Sequence, residues 1–286
     1  MRHRVLEDLI AATGELPTLP ATVVDLLALL NDSTASVASV QKVIERDPAM
    51  TANILKLCNS AFYGARRQIS SVRDALVMLG NRSVAALAFA TGMAPILRRD
   101  LLGYGFGRDQ FWNHSLLAGA TASRLTDRLG CPEYRCEAFT AGLVHDLGML
   151  IVDPLLVSRK IVLVVEDPRV GVRGAEQEVL GFDHCDAGAL LAEAWGFPEI
   201  LVKCIRNHHD PAAENQWPEV VRAVDIGNRT AQSLVEFPEG EFSDALVAEL
   251  LDDGLDEAII AQLRLDLTDN LPETLALATG PVGSPV

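Results

Sequence analysis

Aromatic residues are scarce in this chain. They make up 5% of its 286 residues, whereas hydrophobic residues together make up 49%. A core of leucine, valine, isoleucine and alanine suits packed helices better than a sheet sandwich, which would use more aromatic and threonine side chains. The length allows two domains, each with its own core. We therefore expect an all-α protein.

Positive charge is also in short supply, and its distribution is uneven. Residues 1–100 contain 11 Lys and Arg against 9 Asp and Glu, and residues 101–286 contain 13 against 30, which gives +2 and −17 and a total of −15. Such an acidic body repels phosphate backbones at long range. We expect no nucleic-acid partner, although a small anionic ligand at a local cationic site is compatible with this charge.

Cysteine is too infrequent and too scattered for a disulfide framework. The chain has five, at positions 58, 131, 136, 185 and 204. An odd count without paired spacing favours a reducing compartment. Cys185 follows His184 directly, and Cys204 lies one helical turn before His208. Each could be a soft metal ligand, but a buried bystander thiol is the favoured interpretation.

Long apolar runs are missing as well. No uninterrupted apolar stretch approaches the ~20 residues of a membrane span, and the amphipathic start of the chain does not resemble a signal peptide. We expect a soluble, cytoplasmic protein without a membrane partner.

Helical periodicity with clear start signals recurs along the chain. A first helix is predicted over Val5–Ala12. Asp47, Ser71 and Asp183 are predicted N-caps of later helices. A helix is also predicted over 133–147. The β-branched segment 161–165 could be a strand, but without a partner it is interpreted as part of a buried helix.

Histidine is the residue type whose placement is most informative. Five of the six histidines fall within about 100 residues, in the order His, His-Asp, His, His-His, and an aspartate follows. Imidazole and carboxylate are ligands of divalent iron, manganese and zinc. The candidate ligands are His114, His145, Asp146, His184, His208, His209 and Asp225.

The candidate ligands fall on helices far apart in sequence, which is how metal centres inside helix bundles are built. His114, His145, Asp146 and Asp225 could form a first site. The other three histidines could bind a second ion, with Asp146 bridging the two. Any one of these histidines alone would be an ordinary core or surface residue, so the prediction depends on the joint pattern.

This order resembles the HD superfamily of metal-dependent phosphohydrolases, and in particular its HD-GYP branch. The preceding part is similar to the HDOD domain, an HD-related output module of bacterial signalling proteins. The motifs that carry this similarity are Leu16-Pro17-Thr18-Leu19-Pro20, Arg46-Asp47-Pro48-Ala49-Met50, Cys58-Asn59-Ser60-Ala61-Phe62-Tyr63, Ile69-Ser70-Ser71-Val72, Ala75-Leu76 and Leu79-Gly80. The similarity covers about residues 15 to 230.

The resemblance implies an HD-superfamily helical bundle preceded by an N-terminal multi-helix subdomain. We place the HDOD subdomain at residues 1–104, the HD-like subdomain with the metal site at 105–235, and acidic helices and a tail at 236–286. The resemblance also implies a divalent transition metal, with two ions of iron or manganese expected and zinc or nickel as further candidates. Gln110 stands where some relatives have a glutamate for a third ion.

Two departures separate the chain from HD-GYP enzymes. Those enzymes follow His-Asp with Gly-Lys, whereas this chain continues with Leu147-Gly148-Met149. Their Gly-Tyr-Pro signature after the double histidine is also missing. Both departures argue against hydrolysis of cyclic dinucleotides.

Three functions are therefore compared. The first is a signalling module whose metal site binds a phosphate-containing ligand and whose surface contacts a protein partner. The second is a metal-dependent phosphohydrolase acting on a nucleotide or cyclic dinucleotide, with Asp146 as the catalytic, metal-bridging residue. The third, a purely structural polar cavity, has the least support because burial of unpaired polar groups is costly. Candidate phosphate-binding residues are Lys203, Arg206, Arg222 and Arg229, although their solvation at the surface is the competing interpretation.

Overall fold

The protein is built from α-helices. The computed structural model describes residues 18–32, 34–59, 68–107, 109–163, 171–236 and 242–269. Within these ranges there is no β-strand, and only an isolated antiparallel bridge joins Leu101 and Phe106. The all-α prediction is confirmed. The predicted helix Val5–Ala12 lies outside the described residues.

The helices before residue 98 begin and end at residues with clear local signals. They are α1 (Ala21–Asn31), α2 (Val37–Glu45), α3 (Pro48–Cys58), α4 (Val72–Leu79) and α5 (Asn81–Leu97). Asp47 accepts hydrogen bonds from the first-turn amides of α3, with Pro48 at the first helical position, and Ser71 caps α4 in the same way. These two predicted N-caps are confirmed, because each side chain satisfies amides that the helix leaves without partners.

The remaining helices carry the candidate ligands and the acidic C-terminal part. They are α6 (Gln110–Leu125), α7 (Arg135–Val144), α8 (Met149–Ser158), α9 (Gly171–Leu180), α10 (His184–Ala194), α11 (Glu199–Asn207), α12 (Pro218–Glu236), α13 (Asp244–Asp252) and α14 (Glu257–Asp269). Short 3-10 turns lie at Leu102–Tyr104, Pro132–Tyr134 and Pro211–Ala213.

The chain divides into two compact units. One contains Pro95–Asn228, and the other contains Pro20–Ala94 together with the described residues from Arg229 onward. The divisions fall within α5 and within α12. Every candidate ligand belongs to the unit of Pro95–Asn228. The domain boundaries at 104 and 235 that we placed from the sequence stay predictions.

Glycines allow close helix packing inside the unit of Pro95–Asn228. A Cβ on Gly119 of α6 would lie 2.6 Å from the carbonyl oxygen of Phe139 on α7, closer than real Cβ contacts. Gly142 of α7 faces Gly119 in turn. α7 also packs on α11, and α10 packs on both α8 and α11. These contacts bring the ends of several helices to one place.

Two predicted helix extents are wrong. α7 ends at Val144, so His145 and Asp146 lie in the turn that follows it. Residues 161–163 are not helical, since α8 ends at Ser158 and the Leu163 amide donates to the carbonyl of Gly103 at 2.8 Å. Positions 164 and 165 lie outside the described residues. A short β-branched run has no periodicity that could have distinguished helix from loop.

One stretch, Pro132–Ser158, is long and apolar enough to cross a membrane by length and composition alone. Of an apolar segment of 18 residues within this stretch, 89% is buried inside the protein. This is the burial expected of core helices, and the turn after Val144 interrupts the stretch.

Candidate metal centre

Six of the seven predicted ligands meet within the unit of Pro95–Asn228. His114 lies on α6, and His184 is the first residue of α10. His145 and Asp146 occupy the turn after α7. His208 and His209 directly follow α11. The residues that meet are His114, His145, Asp146, His184, His208 and His209. All are buried except His209, which is exposed at the edge of the cluster.

One half of the cluster surrounds one oxygen of Asp146. Asp146 Oδ2 lies 3.0 Å from His145 Nε2 and 3.3 Å from His114 Nε2. The two Nε2 atoms are 3.3 Å apart. These three residues form a compact triad of donor atoms.

The other half faces the second oxygen of the same carboxylate. Asp146 Oδ1 lies 3.3 Å from His184 Nε2 and 3.4 Å from His208 Nε2. His209 Nε2 is 3.2 Å from His184 Nε2. Asp146 therefore presents one oxygen to each group of histidines.

The spacing of these atoms fits metal ligation. Two donors that bind one ion at about 2.1 Å lie roughly 3.0 to 3.4 Å apart at right or tetrahedral angles. The distances from Asp146 to the four histidines fall within this range. Asp146 Oδ1 is buried without a hydrogen-bond partner.

The outward nitrogens determine which atom faces the cluster. His145 Nδ1 lies 2.7 Å from the carbonyl oxygen of Gly142, and His208 Nδ1 lies 3.0 Å from that of Ile205. A carbonyl oxygen only accepts hydrogen bonds, so each Nδ1 must carry the proton. In its neutral form, each ring then directs the Nε2 lone pair at Asp146. Lone pairs facing a carboxylate repel it unless a cation or an added proton lies between them.

The shifts in pKa of Asp146 and the neighbouring histidines also indicate that the cluster favours positive charge. Burial raises the pKa of Asp146, but the neighbouring histidines, His145 foremost, outweigh burial and hold it well below its usual range. Burial lowers the pKa of His145. Burial also opposes the protonation of His208, yet Cys185 and Asp146 raise its pKa to about 10. A proton thus supplies part of the charge when no metal does.

A buried carboxylate hydrogen-bonds to His184 on the side of the ring that faces away from Asp146. Glu176 of α9 is fully buried, and its Oε2 accepts from His184 Nδ1 at 2.7 Å and from the His184 backbone amide at 2.8 Å. Its other oxygen accepts from the Tyr104 hydroxyl. A carboxylate behind a ligating imidazole fixes the ring and raises its basicity. Glu176 has no spacing in the sequence that marks it as a site residue, and we did not predict it.

The start of α10 is fixed by its cap. Asp183 Oδ1 accepts from the Asp186 amide at 3.0 Å, which confirms the predicted N-cap. Its other oxygen accepts from Arg173 and Gln177, both at 2.7 Å. Burial raises the pKa of Asp183, but these donors outweigh it and lower the pKa. The capped turn holds His184 at a defined position.

Cys185 also lies beside the cluster. Its Sγ is 4.0 Å from both ring nitrogens of His208. Burial raises the pKa of this thiol, but His184 and His208 outweigh burial and lower the pKa to about 7. Cys204 is fully buried, and burial raises the pKa of its thiol above the usual range. Among the described residues, Cys185 is the cysteine that belongs to a group of candidate ligands.

Asp225 is half-buried on α12 and belongs to neither group of candidate ligands among the described residues. α12 approaches α6 closely, since a Cβ on Gly227 would lie 2.5 Å from the carbonyl oxygen of Ala118. The assignment of Asp225 as a ligand stays a prediction.

Three of the four candidate phosphate-binding residues have carboxylate neighbours. Arg206 pairs with Glu193 at 2.9 Å, and Lys203 lies 4.0 Å from Glu214. Arg229 pairs with Glu249 and Asp253. Arg222 is half-buried on α12. Their role toward phosphate stays a prediction.

The family is established by comparison with known proteins. The model of the HDOD domain family matches residues 16–211, more than half of the chain. The chain therefore belongs to the HDOD domain family.

Solved structures share this fold. The crystal structure of a presumed phosphohydrolase from Shewanella amazonensis SB2B has a TM-score of 0.71 and 26% identity, over 95% of this chain and 98% of that one. An HDOD domain protein of unknown function from Geobacter sulfurreducens has a TM-score of 0.70 and 24% identity, over 94% and 98%. The second likeness shows the fold alone.

A curated relative is longer than this chain. An uncharacterized protein of Treponema pallidum (strain Nichols) is 24% identical over 230 residues, which are 79% of this chain and 43% of the relative. The chain thus spans less than half the length of the curated relative that it matches.

Proposed function

We propose that this HDOD domain is a signalling module with a centre for two divalent transition metal ions, and that the ions hold a phosphate-containing ligand. The observation that carries the proposal is the position of Asp146. Its two oxygens face different groups of histidine Nε2 atoms at 3.0 to 3.4 Å, as a bridging carboxylate would. Iron and manganese are the ions expected from the family resemblance, with zinc and nickel as further candidates.

A metal explains the cluster better than a polar core without one. The three innermost rings, those of His145, His184 and His208, are 0% exposed, and each has an Nδ1 bonded to an oxygen acceptor. Leaving a carboxylate among inward lone pairs in a desolvated interior costs several kcal/mol, because no water is available to separate the charges. Divalent cations offset this cost and use every inward donor.

The ligand is expected to be anionic and small. When bound, two divalent ions supply a positive charge that attracts phosphate oxygens, and they lower the pKa of coordinated water. His209 is exposed whereas the other five clustered residues are buried, so the edge formed by His209 is the side from which a ligand reaches the centre.

The residues around Asp146 favour binding over turnover. The turn after His145 and Asp146 continues with Leu147, Gly148 and Met149, which are buried and uncharged. No lysine is available there to neutralise a phosphate that is being cleaved. Arg206 and Lys203 are close to carboxylates, which offset their charge. We therefore favour a binding module that passes its ligand state to a protein partner.

A phosphohydrolase is the second candidate. The six clustered donors support it, and so does the likeness to the Shewanella amazonensis protein that is described as a presumed phosphohydrolase. In this role Asp146 would be the catalytic residue, because its two oxygens face the two histidine sets.

Metal analysis tests the proposed centre. The full chain, purified without chelators or nickel resin, should contain divalent metal near two ions per chain by plasma mass spectrometry. Asp146→Asn should lose most of it. Asp153→Asn is the matched control, since Asp153 is also a buried aspartate but bonds to the Gly103 amide at 2.6 Å. Wild-type protein that stays metal-free after incubation with iron, manganese, zinc and nickel would contradict the proposal.

A second experiment separates the module from the enzyme. Metal-loaded protein is incubated with bis(p-nitrophenyl) phosphate, nucleotides and cyclic dinucleotides, and both binding and product formation are measured. Ligand binding without turnover is the expected result. Turnover that Asp146→Asn abolishes and Asp153→Asn retains would instead establish a phosphohydrolase.

A further inference from the structure

Cys185 differs from the other cysteines in its surroundings. It is the second residue of α10, directly after His184, and is 2% exposed. Its Sγ lies 4.0 Å from both nitrogens of His208. Together with His184, His208 and His209 it forms a group whose ligand atoms all lie within 4.8 Å of one another.

A second observation points to the same half of the cluster. Asp146 Oδ1 is buried without a hydrogen bond, and it is the carboxylate oxygen nearest to His184 and His208. An orphaned oxygen and a buried sulfur therefore lie beside the same two imidazoles. A cation at this point would be a partner for both.

We propose that the Cys185 thiolate is a ligand of the second ion, which makes this half of the centre a mixed nitrogen, oxygen and sulfur site. The inference rests on the proposed metal centre and deepens it by assigning the metal preference of one half. Thiolate is a soft ligand that favours zinc, whereas manganese and magnesium favour oxygen. The second half should therefore select Zn²⁺ or Co²⁺, and the first half keeps the harder histidine and carboxylate donors.

The distances allow this ligation with a small adjustment. Sulfur and nitrogen donors on one tetrahedral zinc ion lie roughly 3.6 Å apart. The separation of 4.0 Å between Cys185 Sγ and His208 Nε2 exceeds this by a few tenths of an ångström. A movement of the Cys185 side chain by a few tenths of an ångström would close the difference.

Cobalt spectroscopy on the full chain tests the proposal. Co²⁺ is titrated into metal-free protein, and a sulfur-to-cobalt charge-transfer band in the near ultraviolet is expected. Cys185→Ser should still bind Co²⁺, with visible ligand-field bands shifted by the loss of the sulfur donor and without the charge-transfer band. Cys204→Ser is the matched control, because Cys204 is also buried but lies outside the group of candidate ligands. It should keep the band.

A competition experiment measures the selectivity. Zn²⁺ and Mn²⁺ affinities are determined against a chromophoric chelator for wild type and both variants. Cys185→Ser should weaken zinc binding at one site by about tenfold or more and leave manganese binding nearly unchanged. Equal losses for both ions would contradict a soft ligand.

The outcomes separate this inference from the proposed function. Wild-type protein that binds Co²⁺ without a charge-transfer band would overturn the role of Cys185 and leave the metal centre standing. A band that persists in Cys185→Ser would do the same. Failure of the wild type to bind any Co²⁺, Zn²⁺ or Mn²⁺ would overturn both. The wild-type spectrum gives this result whether or not the variants fold.

Discussion

A single buried glutamate connects α9 to the cluster. Glu176 holds His184 through its ring and its backbone amide, and Tyr104 donates to its second oxygen. Its charge orients the imidazole and keeps Nε2 free to face Asp146.

Replacing Glu176 should therefore weaken metal binding. Glu176→Gln keeps the shape but removes the charge, and we expect a loss of about 10- to 100-fold in affinity for the ion beside His184. Chelator competition with Zn²⁺ measures it. Glu178→Gln is the control, since Glu178 is exposed on the same helix. Equal affinities for the two variants would show that Glu176 only fills space.

Glu214 makes a different prediction, for stability. It is 5% exposed, and it accepts from the Gln216 amide at 2.8 Å and from Asn207 at 3.0 Å. Burial raises its pKa, but these donors and Lys203 outweigh burial and lower the pKa below the usual 4.5. Because the pKa is lower when folded, ionised Glu214 stabilises the protein above its unfolded pKa, and this stabilisation is lost as the pH falls through the folded value.

Glu214→Gln should thus lower the free energy of unfolding by about 1–2 kcal/mol at neutral pH. The difference from wild type should shrink toward acidic pH and disappear below the lowered pKa of Glu214. Urea denaturation across this pH range measures it. Glu219→Gln, at an exposed position, should change stability by less than about 0.5 kcal/mol. A pH-independent difference at Glu214 would contradict the prediction.

At the scale of residues, the sequence was most informative for the residue types that occur rarely. Histidine is infrequent, so its spacing predicted seven candidate metal ligands. The structure brings six of them together. Glutamate is common, and Glu176 reaches His184 from another helix. No sequence spacing could have distinguished it from its exposed neighbours. The sequence leaves Cys185 open between bystander and ligand, because adjacency to His184 does not tell which way its side chain points.

At the scale of helices, the contact between α8 and α10 depends on two glycines. A Cβ on Gly148 would lie 1.9 Å from the carbonyl oxygen of His184 and 2.6 Å from the amide nitrogen of Gly188. Both neighbours are backbone atoms, which cannot rotate away. The candidate ligand His184 is thus positioned by the absence of a side chain on the facing segment.

Gly148→Ala should separate these segments. We expect it to lower the free energy of unfolding by about 1–3 kcal/mol or more, and to weaken metal binding because His184 moves. Thermal denaturation and chelator competition measure the two effects. Gly107→Ala is the control, since its nearest neighbour would be Gln110 Oε1 at 3.4 Å. A wild-type-like Gly148→Ala would mean that the backbone yields at little cost.

Helix starts were predictable and helix packing was not. Asp47, Ser71 and Asp183 each cap a helix, because capping is a local interaction that three or four residues determine. The end of α7 at Val144 is set by the turn that carries His145 and Asp146 into the cluster. That requirement comes from distant helices, which the local pattern does not contain.

For the whole molecule, metal occupancy should change stability. An ion that binds only the folded state adds about 2.7 kcal/mol when its concentration is 100 times the dissociation constant. Chelation should therefore lower the melting temperature of the wild type by several degrees, measured by circular dichroism. Asp146→Asn should melt at the same temperature with and without metal. A wild type insensitive to both chelator and added metal would contradict a metal centre in the folded unit.

The all-α class followed from composition and periodicity, and the family from motifs that span both units. Composition, periodicity and motifs did not predict the division into two compact units. Residues from Arg229 onward cluster with Pro20–Ala94, which precedes them by more than a hundred positions. Contacts at such separation depend on surface complementarity that a linear pattern does not encode.

The apolar stretch Pro132–Ser158 has a consequence for biosynthesis. Its helices α7 and α8 pack on α11 and α10, which follow later in the chain. While the ribosome is still translating α10 and α11, this apolar stretch emerges without the helices that bury it. Nascent chains halted near residue 180 should therefore recruit chaperones, and chains extended past α11 should release them.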